Sequence, residues 1–444
     1  MAKSNLQYLI FFLLHVVLGV GIAASGSIAF LWGLIPVTYG LFDIVIHKNK
    51  HERAACWAAY STGTEVVLRM QEAFVTYEAV KYYVIILLLT GLLVDRSFKK
   101  SSLVFMFLLL LLIPSVFLTE MQGDEFRKAV LFNLSGPVTL LVAGIYFYNR
   151  QVPRRDLNAI LVYFVMPIVC MAIVLQLNTP DFSSIKFNAE SNFETSGGFG
   201  PNQVSTLLGC GIFIILIALI LKMDITGFRL TDLLVLGFFT FRGIITFSRG
   251  GILSVVIALI FFILFSFLIN HPIKKRFIKY LIIIIPAVIF IWSYSIEITS
   301  GQIENRYFGK NAKGKEDKDL TSGRLSIISA DYALFLENPV FGVGVGMGKF
   351  IRERKYGYLA ASHSEFGRLL AEHGSLGVVF LVVLIGLVIR KMILLSTFNK
   401  IWFVTFIVYA FLTINHAAMR TALPGFVFGL AFIVLVSNSE RKLV

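Results

Sequence analysis

Charge is what this sequence has little of. Only 15% of its 444 residues are Asp, Glu, Lys or Arg, against about 25% in an ordinary soluble domain. The shortage excludes a cytosolic enzyme of usual build, a disordered chain and a coiled coil, each of which needs a charged surface. Cysteine is scarce as well. Cys56, Cys170 and Cys210 stand singly in apolar segments with no CxxC pair, so no disulfide framework, thiol chemistry or thiolate metal site is expected. Internal repeats at a solenoid period are missing, and so is a small-residue cleavage site after the first apolar run. Lys3 is followed by one such run and at once by another, the pattern of a retained first span and not of a cleaved leader.

What is present is apolar: 57% hydrophobic residues, 42 of them Phe. A helix needs roughly 17 to 25 residues to cross about 30 Å of hydrocarbon. Runs of this kind lie near 6–24, 28–46, 54–71, 75–94, 101–118, 130–148, 157–177, 203–221, 233–249, 251–269, 280–298, 375–390, 401–415 and 424–437. The expected fold is all-α, a polytopic transmembrane bundle of about 12–14 spans forming a single membrane domain over 1–444. The segment 54–71 is the weakest, because it carries Glu65 and Arg69. A long connection over 299–374 is expected to contain short helices.

The formal net charge of +14 would point to nucleic acid in a soluble protein, but its distribution reads as topology. Alternate connections hold 21 of the 40 Lys and Arg residues, from Lys3 through Lys48, Arg53, Arg150 and Lys274 to Arg441. The short connections of the other set hold only Arg127, Lys128, Lys186, Arg249 and Arg420. By the positive-inside rule both termini are cytoplasmic and the 299–374 loop is extracytoplasmic. A basic surface for anionic lipid is compatible with the same pattern, and no nucleic-acid partner is expected.

Five stretches are candidates for chemistry. Thr240-Phe-Arg-Gly-Ile-Ile-Thr-Phe-Ser-Arg-Gly-Gly251 sets Arg242 and Arg249 seven residues apart, on one helix face and about 10.5 Å apart if the helix is continuous. An arginine inside a span costs about 2.5–3.5 kcal/mol or more at the centre. Such residues either snorkel to the interface or serve an anion, and guanidinium forks match phosphate oxygens. The stretch Ser322-Gly323-Arg324 opens a helix, capped by Thr321 or Ser322, on which Leu325, Ile328, Tyr332, Phe335 and Leu336 recur at helical spacing before Pro339. It is amphipathic enough to lie on the membrane surface or against the bundle. Arg324 in its first turn opposes the helix dipole, which an anionic partner would explain. The run Phe341-Gly-Val-Gly-Val-Gly-Met-Gly348 matches no phosphate loop and reads as close backbone packing. The Asp317-Lys318-Asp319 triplet sits in the Lys-rich stretch Lys310–Asp319 and is read as solvated chain. In Ser362-His363-Ser364-Glu365-Phe-Gly-Arg368-Leu-Leu-Ala-Glu372, Arg368 pairs with Glu365 at i,i+3 and Glu372 at i,i+4. His363 at the helix start is either a satisfied polar residue or a general base.

Ser248-Arg249-Gly250-Gly251, Ser322-Gly323-Arg324, Asn338-Pro339-Val340-Phe341-Gly342-Val343-Gly344, Ser362-His363-Ser364 and Ala371-Glu372-His373-Gly374-Ser375-Leu376-Gly377, in this order, resemble the O-antigen ligase and O-antigen polymerase superfamily over about 197–378. Gly200-Pro201-Asn202-Gln203 resembles its Pro-Asn element. The resemblance implies a metal-independent glycosyltransferase of the bacterial inner membrane, without cofactor, using an undecaprenyl-diphosphate-linked glycan as donor and a glycan, lipid A core or protein as acceptor. It implies diphosphate contacts for Arg249 and Arg324, with Arg242 beside them, and a catalytic His363. Asn202, Glu365, Arg368 and Glu372 support the site. A flippase or exporter of lipid-linked oligosaccharide is the competing class; it would spread charge along a central pathway.

Overall fold

Each of the fourteen apolar segments has a helix at its centre in the computed structural model, which describes residues 2–74, 76–316, 323–357, 362 and 364–436. The helices are α1 (Ala2–Ala24), α2 (Gly26–Ile46), α3 (Arg53–Met70), α4 (Ala79–Asp95), α5 (Leu103–Leu112), α6 (Gly123–Phe147), α7 (Arg154–Asn178), α8 (Pro201–Ile220), α9 (Arg229–Ile245), α10 (Arg249–Leu268) and α11 (Ile273–Ile298). The long connection contributes α12 (Gln302–Tyr307), α13 (Arg324–Glu337) and α14 (Gly348–Tyr356), and the chain ends with α15 (Glu365–Leu394), α16 (Thr397–Ala417) and α17 (Leu423–Ala431). Ten of the described segments are long and apolar enough to cross a membrane. The chain is a multi-pass helical membrane protein.

Burial sorts the helices. α8 is enclosed on nearly all sides and α7 on most, whereas α11 buries almost none of its apolar window and presents it outward. α3 packs between α2, α4 and α7, and small residues explain how a helix carrying Glu65 and Arg69 lies so deep. A Cβ on Gly63 would stand 2.7 Å from the Phe164 carbonyl oxygen, so the two backbones touch where only glycine fits. Arg53 at one end of α3 meets Asp43 of α2. Arg69 at the other end reaches Gln203 at the start of α8. The weakest of the expected spans therefore runs from one end of the bundle to the other.

Two expectations need correction. First, Arg242 and Arg249 do not share a helix: α9 stops at Ile245, Phe247 takes φ 58° and α10 starts at Arg249. The boundary expected at 249–251 lies a few residues earlier, at Thr246–Ser248. Second, the last segment is not a full-length helix. α17 has nine residues, and Val434–Val436 forms a strand, β2, parallel to the strand β1 at Gln151–Pro153. The run Ile433-Val434-Leu435-Val436 is made of residues that favour extended backbone. The Asn399 side chain accepts from Leu435 N at 2.9 Å. Of the apolar stripe on α13, Leu325, Ile328, Tyr332 and Leu336 are exposed, while Ile327, Ala330, Asp331 and Leu334 face the bundle. Thr321, Ser322 and the Asp317–Asp319 triplet lie outside the described residues.

The glycine run 342–346 is a packing element, as its spacing indicates. Gly342 and Gly344 have φ of 73° and 92°, and a Cβ on them would lie 2.4 Å from the Glu372 carbonyl carbon and 2.5 Å from the Leu118 carbonyl oxygen. Its partner is a break inside α15 at Gly374, φ 58° and ψ −135°, where Ser375 N donates to Pro339 O at 2.7 Å. The break separates Glu365–His373 from the apolar remainder of α15 and directs it into the candidate site.

The closest helix approach near that site joins α8 to α10. A Cβ on Gly251 would be 2.2 Å from the Ser205 carbonyl oxygen, and one on Gly209 2.6 Å from the Gly251 carbonyl oxygen. Overpacking of this kind costs typically about 1–3 kcal/mol. Gly251→Ala should therefore lower the thermal midpoint of detergent-purified protein clearly below that of a substitution on exposed α11, such as Ile289→Ala; equal midpoints would contradict the packing.

Candidate active site

The turn between α9 and α10 is where the site begins. Thr246 Oγ1 donates to Gly243 O at 2.7 Å, and Ser248 N donates back to Thr246 Oγ1 at 3.2 Å. Ser248 Oγ donates to Asn202 Oδ1 at 2.7 Å, which ties the turn to the first turn of α8, where Pro201 at the helix start supplies a preset φ. Gly250 lies against the His416 ring so closely that a Cβ would come within 1.9 Å of Nδ1. This is how the end of α16 docks on the start of α10.

His416 links the turn to the long connection. Arg324 Nη1 stands 3.0 Å from His416 Nδ1, and Ser248 Oγ stands 3.4 Å from Nε2. A guanidinium only donates, so Nδ1 is the acceptor and the ring proton sits on Nε2, facing Ser248. The imidazole thereby orients Arg324, the first residue of α13. Arg249 donates to Arg306 O at 3.1 Å, and Arg306 donates to Phe247 O at 3.1 Å and Ala189 O at 3.3 Å. The α9–α10 turn, α12 and the 179–200 loop are thus laced by guanidinium–carbonyl bonds.

Cations gather here. Burial first, and then repulsion from Arg249 and Arg420, holds the Arg324 guanidinium below its ordinary value. Burial does the same to Arg420, with Arg368 adding to it and Tyr77 opposing. Among the described residues neither Arg324 nor Arg420 forms an ion pair. The nearby carboxylates are engaged elsewhere: Glu65 with Arg69, Glu365 and Glu372 with Arg368, and Asp331 with Arg352. Burial raises the Asp331 carboxyl, with Arg352 and the Ser362 hydroxyl opposing it.

These pairs also fix the turn that carries Arg420. Glu65 Oε2 accepts from Ala422 N at 2.6 Å, Glu365 Oε2 from Met419 N at 3.4 Å, and Arg69 Nη1 donates to Arg420 O at 2.9 Å. Arg69 also stacks 3.8 Å from the Tyr77 ring centroid and donates to Gln203 Oε1 at 3.0 Å.

Among the residues singled out in the sequence, Arg249, Arg324 and Asn202 come together here. Glu365, Arg368 and Glu372 pair as their spacing indicates, and Arg368 donates further to Asn133 O at 2.7 Å. Arg242 lies fully buried and apart from them. Its Nη2 donates to Leu175 O, Thr179 Oγ1 and Thr195 O at 3.0, 2.6 and 2.8 Å, so it staples the 179–200 loop to the bundle. His363 lies outside the described residues. Its neighbours are held firmly: Ser362 Oγ donates to Asp331 Oδ2 at 2.7 Å and Ser364 Oγ to Asn415 Oδ1 at 2.9 Å. His416 and Arg420 were not singled out from the sequence; their only signal was a polar cluster, Asn415-His416 and Arg420, just past an apolar span. Among the described residues no group of three or more His, Cys, Asp or Glu is placed to hold a metal ion.

Residues 233–382 match a family model described as O-antigen ligase. The match runs from α9 past the break in α15, and so includes Arg249, Arg324 and the Glu365–Arg368–Glu372 set; Asn202, His416 and Arg420 lie outside it. No curated protein and no solved structure matches the chain.

Removing one partner of a buried ion pair costs about 3–5 kcal/mol, because the other charge is left buried. Glu65→Gln should accordingly lower the thermal midpoint strongly, and Glu65→Gln with Arg69→Met should recover part of the loss. If the single substitution is neutral, the pair does not hold the 418–422 turn.

Proposed function

Since residues 233–382 match a family model described as O-antigen ligase, we propose that the chain transfers a glycan from undecaprenyl diphosphate to an acceptor hydroxyl at the outer face of the bacterial inner membrane. The observation that carries this reading is the convergence of half-buried Arg324 and Arg420 beside Arg249, with no carboxylate paired to the first two among the described residues. A cluster of guanidinium groups at a membrane interface fits a diphosphate, whose oxygens accept bidentate, charge-assisted bonds. The basic connections at the opposite end of the bundle support an outward orientation of this site.

In the proposed reaction the acceptor oxygen attacks the anomeric carbon and the bond from that carbon to the diphosphate oxygen breaks. The electron pair leaves on the diphosphate, and inversion at the anomeric carbon follows. His363 takes the acceptor's proton. Arg249, Arg324 and Arg420 offset the charge that grows on the leaving group, which is where preorganised cations stabilise a transition state most. His416 keeps Arg324 aimed at the diphosphate, and Asn202 holds the Ser248 hydroxyl beneath it. Arg242 shapes the loop over the site. Glu65, Arg69 and Glu365 fix the turn that presents Arg420, and Arg368 holds Glu365 and Glu372.

Two substitutions test this in a complemented deletion strain with protein levels verified. Arg324→Lys keeps the charge but removes the fork, and removal of one such donor typically costs about 10²–10³ in rate; wild-type transfer would leave Arg324 without a role in the reaction. His363→Ala should abolish transfer, and full activity would refute the base assignment. A lipopolysaccharide gel of the deletion strain separates the two forms of the activity. Core bearing one repeat indicates a lost polymerase, and bare core with intact lipid-linked polymer a lost ligase.

A further inference from the structure

Beside the arginine cluster, at the same end of the bundle, a cleft of about 980 Å³ opens between the starts of α4 and α6, helix α14, the first turns of α15 and the 418–420 turn. Its size is at the upper end of the range for small-molecule pockets. Tyr77, Tyr82, Phe132 and Phe350 line it. So do charges of both signs, among them Asp124, Glu125, Arg127 and Lys128 on the first turns of α6. The Tyr82 hydroxyl is buried there and has no hydrogen-bond partner among the described residues.

This lining has the chemistry of a carbohydrate site. Aromatic faces take the apolar C–H faces of a sugar ring, and alternating donors and acceptors take its hydroxyls, with no preference for an ion of one sign. A diphosphate favours the single-sign arginine cluster instead. A lipid chain favours walls such as those of the groove between α8, α9, α10 and α11, where Ile212, Leu236, Val255, Ile284 and Ile291 stand.

The two sites meet at one short segment. Ser362 lines the cleft and bonds Asp331. Ser364, two residues on, bonds Asn415, the neighbour of the His416 that holds Arg324. Arg420 lines the cleft and also repels Arg324 across the turn. We propose that the cleft is the binding site of the acceptor sugar, whose hydroxyl enters beside Ser362 while the donor diphosphate occupies the arginine cluster. The assignment rests on the glycan-transfer reading.

Leu131 lines the cleft and is 38% exposed, while Cys56, Cys170 and Cys210 are buried. Leu131→Cys protein in nanodiscs, labelled with a maleimide–polyethylene glycol, is compared with the same protein unlabelled. Transfer is measured with washed membranes of the deletion strain supplying both glycans, and donor-site binding by the thermal shift with polyprenyl diphosphate bearing no sugar. The label should cut transfer at least tenfold and leave the polyprenyl diphosphate shift unchanged. Undiminished transfer would overturn the assignment, and loss of the shift would give the cleft to the donor. Tyr82→Phe removes one oxygen and no internal bond, and should raise the acceptor level needed for half-maximal rate at least threefold; an unchanged level would count against the cleft. If the wild-type protein transfers nothing under these conditions, the glycan-transfer reading itself fails, and the acceptor assignment with it.

Discussion

The site depends on where its buried carboxylates are spent. Glu65, Glu365, Glu372 and Asp331 all lie at one end of the bundle, and each is bonded to Arg69, Arg368 or Arg352. A buried ion pair of this kind adds little stability compared with an apolar substitute, since desolvation offsets the attraction. Its effect here is positional. The second oxygens of Glu65 and Glu365 accept backbone N–H groups of the 418–422 turn, and that turn presents Arg420. With those carboxylates engaged, Arg324 and Arg420 have no ion-pair partner among the described residues, and the field of the site remains positive.

Backbone packing sets the other half of the geometry. Gly250 and Gly251 let the start of α10 touch the His416 ring and the α8 backbone. The Gly374 break interlocks with Gly342, so the polar first turns of α15 face the site while its apolar remainder continues as a largely exposed helix. Small residues are what permit helices to approach this closely in a membrane, where there is no hydrophobic force between them. The start of α10, which carries Arg249, is therefore placed by contacts that contain no charge.

The spans were legible because an uninterrupted apolar run of bilayer length rarely folds as anything but a membrane-crossing helix. The segment 54–71, weak by its charges, is not among the ten long apolar helices and instead forms a buried helix in which Glu65 and Arg69 pair. The Glu365–Arg368–Glu372 set was legible because i,i+3 and i,i+4 spacing needs only one helix. His416 was not: its partner Arg324 is 92 residues away in the chain, and no spacing rule reaches that far. The break between α9 and α10 was read at 249–251, past Phe247 where the chain turns, which made Arg242 look like a companion of Arg249 when it donates to Leu175 O, Thr179 Oγ1 and Thr195 O. The shortened α17 was hidden because an apolar β-branched run reads equally as a buried strand or a span.

The most direct measurement follows one bond. Purified protein in nanodiscs, given an undecaprenyl-diphosphate-linked glycan with a labelled reducing-end sugar and an acceptor, without added nucleotide, is assayed for the products of a single turnover. The account predicts that the label moves to the acceptor with the opposite anomeric configuration and that one undecaprenyl diphosphate is released for each transfer. Donor left intact, or label transferred with its configuration retained, would contradict it.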